Sequence, residues 1–346
     1  MPMDGTIAVD ELDRIDRCEF LENYRFRKPF VLRGGARHVP ACRKWSLEYL
    51  ESQIADVMIQ PLIYEEDERD YSRALFVEMS FREFLREIRS EHSRMLYWFE
   101  GPVSANFWGG EGKHARVNED LAMLAADFEP PRFLRESEII YAQMILGTGR
   151  NGTVVHHDFG GEAKCMMQLI GEKHVLLIPP QYGKFLALHP MLGKKNFTVS
   201  SRNLRGDDYH SIVTSVPVFE ARIGPGDVLY WPSFWLHDVV NHGAINFAIN
   251  APIDEMPVNA LMLRHLLAQN LLRLQQIDPQ LAISVETIAQ LEAEQFDHTD
   301  VKTLWDLHAS SPAYRGKHWR TRREPETSGV THREGEVGTV ARLPHA

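Results

Sequence analysis

Residues 152–174 read GTVVHHDFGGEAKCMMQLIGEKH, and residues 224–237 read GPGDVLYWPSFWLH. Both stretches contain short apolar runs that stop at Gly or Pro, a pattern typical of short strands joined by tight turns. Strands of this kind favour a sandwich or barrel. Neither stretch contains a glycine-rich phosphate-binding loop, so the sequence gives no support for nucleotide binding.

Three side chains in these stretches form a candidate metal site. His156 and Asp158 are two residues apart in a strand-like segment, and alternate residues of a strand point to the same face. The best candidate for a third ligand is His237, which follows the strand predicted for Val228 to Trp231. Two imidazoles and one carboxylate form the facial triad that holds non-haem Fe(II) and leaves coordination positions open.

The His-x-Asp triplet also has a purely structural interpretation. Such triplets are common by chance, so His156 could be a hydrogen-bonded core histidine and Asp158 a turn residue. The order of the motifs favours the metal site, because an apolar strand, Gly-Glu-Lys-His, a Pro-Pro stop and finally Trp-Leu-His follow the triplet. The opposite strand parity of His157 argues against a role as a ligand.

This series of motifs resembles the cupin-like JmjC family of Fe(II)- and 2-oxoglutarate-dependent oxygenases. The resemblance covers roughly residues 20–251 and includes the opening segments Lys28-Pro-Phe-Val-Leu-Arg-Gly34 and Trp45-Ser-Leu-Glu-Tyr-Leu50. It implies a mainly β fold, the double-stranded β-helix or cupin-like jelly roll, with N-terminal α/β additions and C-terminal helices.

Four parts of the chain are expected from these signals. Residues 1–130 should add helices and strands that pack on the core, and residues 131–256 should form the catalytic jelly roll. Residues 257–309 should form helices, and the polar segment 310–346 should be disordered.

Local sequence signals predict secondary structure in the segment that precedes the jelly roll. Phe30 to Leu32 predicts a short strand, and Leu47 to Ile54 predicts a helix. Ser80 and Glu83 have the spacing of a capping box, which predicts the start of a second helix.

The resemblance also implies roles for individual side chains. His156, Asp158 and His237 match the iron ligands, and Lys173 matches the lysine that pairs with the distal carboxylate of 2-oxoglutarate. An ammonium is a compact partner for a carboxylate, which agrees with that role. The alternative for Lys173 is an exposed lysine in the turn predicted at Gly171-Glu172.

Three more residues match co-substrate positions of the family. Thr153 matches a threonine that contacts the same carboxylate, Asn250 an asparagine near the co-substrate, and Tyr97 a co-substrate tyrosine. A structural role in a strand, the core or an edge is the alternative for each. The segment after Asp158 is longer than the family pattern by about two residues, and Lys164 stands where many members have Asn.

The resemblance implies an enzyme that uses Fe(II) and 2-oxoglutarate, releases succinate and CO₂, and hydroxylates a side chain of a protein, peptide or amino acid. Two alternatives stay open. One is a cupin-type isomerase or dioxygenase that does not use 2-oxoglutarate, and the other is a jelly-roll binding module without catalysis.

The composition of the chain limits its possible binding partners and its cellular location. The net charge of -10 lacks a basic footprint and disfavours nucleic acid as a substrate. The absence of an 18-residue apolar run argues against a membrane span. Cys18, Cys42 and Cys165 are odd in number and form no CxxC pair, which predicts a cytoplasmic protein. A leucine-rich helix predicted for Val258 to Gln276 would either form a homodimer or pack on its own jelly roll.

Overall fold

The computed structural model of the protein describes residues 3–64, 75–90, 95–103, 118–139, 141–149, 151–157, 162–186, 188–190, 198–200, 203–253 and 341–342. The C-terminal helices predicted for 257–309, including Val258 to Gln276, lie outside the described residues. Asp158 also lies outside them. Of the tail predicted for 310–346, the structure describes Ala341–Arg342.

Strands dominate the described part of the chain. They are β1 (Ile7–Ala8), β2 (Asp10–Leu12), β3 (Phe30–Leu32), β4 (Met58–Ile59), β5 (Leu62–Tyr64), β6 (Leu75–Ser80), β7 (Met95–Val103), β8 (Ala142–Thr148), β9 (Gly152–His157), β10 (Ala163–Ile178), β11 (Leu188–Pro190), β12 (Thr198–Ser200), β13 (Phe219–Ile223), β14 (Val228–Trp231), β15 (Leu236–Ile253) and β16 (Ala341–Arg342).

Helical segments are short and lie mostly before the core. The α-helices are α1 (Arg17–Glu19), α2 (Pro40–Lys44), α3 (Leu47–Ile54), α4 (Phe81–Arg89) and α5 (Tyr209–Val213). A π-turn follows α1 at Phe20–Tyr24, and 3₁₀ turns lie at Glu119–Asp127, Glu136–Glu138 and Pro180–Leu186. No helix within the described ranges is long and apolar enough to cross a membrane.

Two long strands, β10 and β15, run through both layers of the core. They pair antiparallel from one end to the other. In the first layer β9 flanks β15 and β13 flanks β10, whereas in the second layer β8 flanks β15 and β14 flanks β10. Long strands shared between two antiparallel layers are typical of a jelly roll, and the mainly β, cupin-like fold predicted from the sequence is confirmed.

The turn predicted at Gly171-Glu172 is wrong, because β10 continues through it. The register between β10 and β15 shifts on both sides of Ile170. Gly171 has a φ of +72°, and a Cβ there would lie 2.5 Å from the carbonyl oxygen of Ile245. Glycine reaches this left-handed conformation without strain, so the strand bends as a bulge and does not reverse.

A hydrophobic cluster lies on each face of the second layer of the core. The cluster between the two layers, called the interior below, contains Val9, Val31, Leu62, Phe76, Tyr97, Ile145, Met166, Val175, Leu177, Ala221, Ile223, Leu229, Trp231, Trp235, Val239 and Ala248. A larger cluster joins the outer face of the second layer to the N-terminal additions and includes Phe20, Phe30, Trp98, Phe133, Tyr230 and Phe247.

The local predictions for the N-terminal additions are confirmed. Phe30 to Leu32 forms β3, which pairs antiparallel with β14. The helix predicted for Leu47 to Ile54 is α3. Ser80 and Glu83 form both hydrogen bonds of the capping box at the start of α4. The capping contacts of α3 and α4 form within a few residues of the chain and depend little on the rest of the fold, whereas β3 depends on its pairing with β14.

Candidate metal and co-substrate site

His156 and His237 lie side by side on neighbouring strands. They are Cα partners in the antiparallel pairing of β9 with β15. Their ring centroids are 4.2 Å apart, and each residue is only 5% exposed. Strand pairing therefore brings together the two imidazoles that the motifs place far apart in sequence.

The backbone holds one ring nitrogen of each histidine. Nδ1 of His156 lies 2.8 Å from the carbonyl oxygen of Val154, and Nδ1 of His237 lies 3.0 Å from that of Trp235. Because a carbonyl oxygen only accepts, we assign the proton to Nδ1 and the lone pair to Nε2. Metal-bound histidines are oriented by hydrogen bonds of this kind.

The third predicted ligand cannot be placed. Asp158 directly follows β9 but lies outside the described residues, as does the side chain of His157. Within the described ranges, no group of three or more His, Cys, Asp or Glu side chains gathers to hold a metal. These ranges supply the two imidazoles, and the carboxylate of Asp158 stays a prediction.

Lys173 is buried in the interior. It is 1% exposed, and its Nζ donates a hydrogen bond of 2.6 Å to Oδ1 of Asn241, its partner on β15. The alternative of an exposed turn lysine is therefore wrong. Burial lowers the pKa of Lys173 to about 7, with no contribution from a neighbouring carboxylate among the described residues. A buried, uncompensated ammonium is costly, which favours an anionic ligand beside it.

Two interior side chains, one on β9 and one on β15, have polar atoms without a hydrogen-bond partner among the described residues. Thr153 is the partner of Val239 on β15, and Asn250 is the partner of the interior residue Met166. Both are less than one-tenth exposed, and neither Oγ1 of Thr153 nor Oδ1 of Asn250 has a hydrogen-bond partner among the described residues. Each buried, unsatisfied group costs about 1–3 kcal/mol, and a polar ligand would offset this cost.

Tyr97 is also an interior residue. It lies on β7, is 6% exposed and pairs with Gly147 of β8. Its ring centroid is 5.8 Å from that of Phe99. All the predicted site residues except Asp158 therefore belong to strands that border one interior.

Sequence reasoning missed Asn241, the residue that holds the ammonium of Lys173. Its signal is strand parity, since His237, Val239 and Asn241 occupy alternate positions of β15.

A double-layered β core with a buried histidine pair and a buried lysine in one interior is typical of the cupin class. The cupin-like domain family matches residues 18–251, which is more than half of the chain. The chain therefore belongs to this cupin-like, JmjC-type family.

Three curated relatives are each similar over 68–70% of this chain. The chain is 24% identical to the bifunctional arginine demethylase and lysyl-hydroxylase psr-1 of Caenorhabditis briggsae, over 70% of this chain and 60% of that protein. It is 24% identical to tRNA wybutosine-synthesizing protein 4 of Gibberella zeae, over 70% of this chain but 23% of that protein. Human tRNA wybutosine-synthesizing protein 5 is 22% identical, over 68% of this chain and 74% of that protein.

Proposed function

We propose that this protein is an Fe(II)- and 2-oxoglutarate-dependent oxygenase that hydroxylates a side chain of a protein, peptide or amino acid and releases succinate and CO₂. One observation carries the proposal: a paired set of imidazoles and an uncompensated buried ammonium border the same interior. Membership of the cupin-like family and the lysyl-hydroxylase named among the relatives support it.

The donor set fits a ferrous ion. His156, His237 and Asp158 would hold it, since two imidazoles and a carboxylate suit non-haem iron. The carbonyl groups of Val154 and Trp235 orient the two rings and, in the neutral imidazole, leave the lone pair on Nε2 for a metal. Together with 2-oxoglutarate and O₂, bound iron supplies the oxidising chemistry that amino-acid side chains lack.

The interior also fits a dicarboxylate. The ammonium of Lys173 would pair with the distal carboxylate of 2-oxoglutarate, and the hydroxyl of Thr153 would donate to the same group. Lys173 is displaced along β10 from Leu177, the partner of His237, as an extended diacid between metal and ammonium requires. We assign the remaining co-substrate contacts to Asn250 and Tyr97.

Apolar side chains surround these polar groups. Val175 and Val239 are partners between the levels of Lys173 and His237, Leu177 lies at the level of His237, and all three are buried. They exclude water from the site, which strengthens the attraction between the ammonium and a bound carboxylate.

The buried ammonium favours this proposal over the two alternatives. A cupin-type isomerase or dioxygenase without 2-oxoglutarate has no need of a dicarboxylate site in the interior. A binding module without catalysis has no need of the histidine pair. An oxygenase that uses 2-oxoglutarate accounts for both Lys173 and the histidine pair.

Succinate release from 2-oxoglutarate in the presence of Fe(II), with and without O₂, tests the proposal. We expect O₂-dependent release that rises with a suitable amino acid or peptide, and its loss in His237→Ala. Lys173→Ala should raise the KM for 2-oxoglutarate about tenfold to hundredfold, because a charge-assisted contact of about 1.5–3 kcal/mol is lost.

Lys28→Ala provides the matched control. Lys28 is an exposed lysine paired with Asp10, and its removal should leave the KM unchanged. Wild-type protein that releases no succinate, or a Lys173→Ala variant with a normal KM, would contradict the proposal.

A further inference from the structure

Three polar side chains lie in one row across the first layer. Lys173 of β10 is the Cα partner of Asn241 on β15. On the other side of β15, Val240 pairs with Gly152 of β9, and the backbone N–H of Asn241 donates a hydrogen bond of 3.0 Å to the carbonyl oxygen of Asn151. Cross-strand partners share a face of the sheet. The row formed by Asn151, Asn241 and Lys173, called the Lys173 row, therefore faces the interior.

The partner of the buried ammonium is a neutral amide. Asn241 is 2% exposed, and its Oδ1 accepts the hydrogen bond of 2.6 Å from Nζ of Lys173. An ammonium has three N–H groups, and this contact uses one of them. An aspartate at the same position would also accept from Nζ, but it would bring a negative charge that compensates the ammonium. Asn241 therefore fixes the position of the charge without neutralising it.

The other described neighbours of Lys173 in the first layer are uncharged as well. Its partner on β13 is Ile223, and the next row toward the histidine pair contains Val175 and Val239. Asn151 is 2% exposed, and its Nδ2 has no hydrogen-bond partner among the described residues. Because an amide N–H only donates, the Lys173 row offers hydrogen-bond donors and no negative charge.

We propose that Asn241 is a specificity-determining residue. As a neutral partner it holds the ammonium of Lys173 and leaves its charge for a carboxylate of the bound co-substrate. The interior then takes a diacid in preference to a 2-oxo acid with an uncharged tail.

This inference rests on the proposed function, which assigns Lys173 to the distal carboxylate of 2-oxoglutarate. In a buried site the attraction between an ammonium and a carboxylate is several times stronger than in water. An aspartate beside the ammonium would repel a second carboxylate, and this repulsion would offset the attraction. The residue at position 241 therefore decides whether the site selects an anionic or a neutral tail.

Calorimetric titration without O₂ tests this inference on the full-length protein, both with and without Fe(II). The two ligands are 2-oxoglutarate and the compound in which a carboxamide replaces its distal carboxylate. We expect the wild type to bind the diacid about tenfold to hundredfold more tightly than the carboxamide, the effect of one charge-assisted hydrogen bond.

Variants of similar size separate the charge of this residue from its shape. Asn241→Asp keeps an acceptor for the ammonium but adds a negative charge, and it should abolish the preference for the diacid. Asn241→Leu removes the acceptor without adding charge, so it should weaken the binding of the diacid severalfold and retain the preference. Asn203→Asp adds the same charge at an exposed position and should leave the preference unchanged. If Asn241→Asp does not fold, as judged by circular dichroism, the preference of Asn241→Leu decides.

The inference is overturned if the wild type binds both compounds equally or binds neither, if the preference survives Asn241→Asp, or if Asn241→Leu loses it. Because the titration records binding, its outcome is separate from turnover. Succinate release by a wild type whose preference survives Asn241→Asp would contradict this inference alone. A preference that Asn241→Asp abolishes, without any succinate release by the wild type, would contradict the proposed function alone.

Discussion

The ammonium group of Lys173 is the least favourably placed charge of the described interior. It has a hydrogen bond to Asn241 and no contribution from a carboxylate, and burial lowers its pKa from 10.5 to about 7. Between these two values the unfolded chain binds more protons than the folded chain. The free energy of unfolding therefore increases as pH rises from about 7 toward 10.5, and at neutral pH the buried lysine costs stability.

Replacing this lysine should increase the stability of the ligand-free protein and weaken the binding of 2-oxoglutarate. We expect Lys173→Met to raise the free energy of unfolding of the ligand-free protein by about 1 kcal/mol at neutral pH, because the buried charge is removed. The same variant should lose the rise in Tm that 2-oxoglutarate gives the wild type. Thermal denaturation with and without the co-substrate measures both effects.

Lys28→Met serves as the control, since Lys28 is about half exposed and should change stability by less than about 0.5 kcal/mol. A Lys173→Met variant that is less stable than the wild type, yet still stabilised by 2-oxoglutarate, would show that this lysine has a structural role.

At the scale of elements, the bulge of β10 depends on one glycine. Gly171 has a φ of +72°, and an added Cβ would lie 2.5 Å from a backbone oxygen. We expect Gly171→Ala to lower the free energy of unfolding by about 1–3 kcal/mol. Gly224→Ala is the matched control, because an added Cβ there meets nothing within 4 Å.

Urea denaturation of both variants measures the free energy of unfolding. The bulge matters for the site because it reverses which face of β10 the odd-numbered side chains occupy: the even-numbered Met166 before it and the odd-numbered Val175 after it both face the interior. Equal stabilities of Gly171→Ala and Gly224→Ala would contradict the role given to the left-handed conformation.

A cluster of charged groups covers the outer face of the first layer, behind the candidate site. Arg205 donates to Asp238 and lies 3.0 Å from Nδ1 of His174, whose Nε2 lies 2.9 Å from Oε1 of Glu220. His174 and Asp238 directly follow Lys173 and His237 in sequence. The cluster therefore fixes the backbone next to two of the proposed site residues.

This cluster predicts a pH dependence of stability. Burial, with the charges of Arg205 and Arg222, lowers the pKa of His174 from 6.5 to about 4. Within this window the unfolded chain binds more protons, so the free energy of unfolding falls as pH falls from about 6.5 toward 4. Urea denaturation across this range should show a shallower slope for His174→Asn than for the wild type. Identical slopes would mean that other groups, such as Glu220, account for the acid sensitivity.

The elements show what could be predicted from the sequence. Strand β14 and the caps of α3 and α4 are specified by residues next to them, and local signals located them. The bulge at Gly171 was predicted as a turn because both structures use a glycine with positive φ. The contact between Lys173 and Asn241 depends on the register of β10 with β15, which neither segment reveals alone.

At the scale of the whole molecule, the N-terminal additions and the jelly roll share a hydrophobic cluster. Phe20 and Phe30 pack against Phe133 and Tyr230, with ring centroids between 4.9 and 5.4 Å apart. Arg17 and Arg25 both pair with Glu138. The predicted boundary at residue 130 therefore crosses a continuous core, and the division into parts stays a prediction.

The three relatives named above differ in how much of their length this chain spans, which is 60%, 23% and 74%. The family match at 18–251 includes the proposed metal and co-substrate residues. The names of these relatives refer to arginine and lysyl groups in one case and to tRNA in the others, so proteins similar to this chain differ in what they act on. The helix predicted for Val258 to Gln276, which would either form a homodimer or pack on its own jelly roll, lies outside the described residues.

Convergence of His156, Asp158 and His237 on one ferrous ion is the central claim, and anaerobic equilibrium dialysis with Fe(II) tests it most directly. The account predicts one tightly bound ion per chain in the wild type and in His210→Ala, which removes an exposed histidine. His237→Ala and Asp158→Ala should each weaken binding by at least about tenfold. A wild-type chain that binds no Fe(II), or variants that bind it as tightly as the wild type, would contradict the claim.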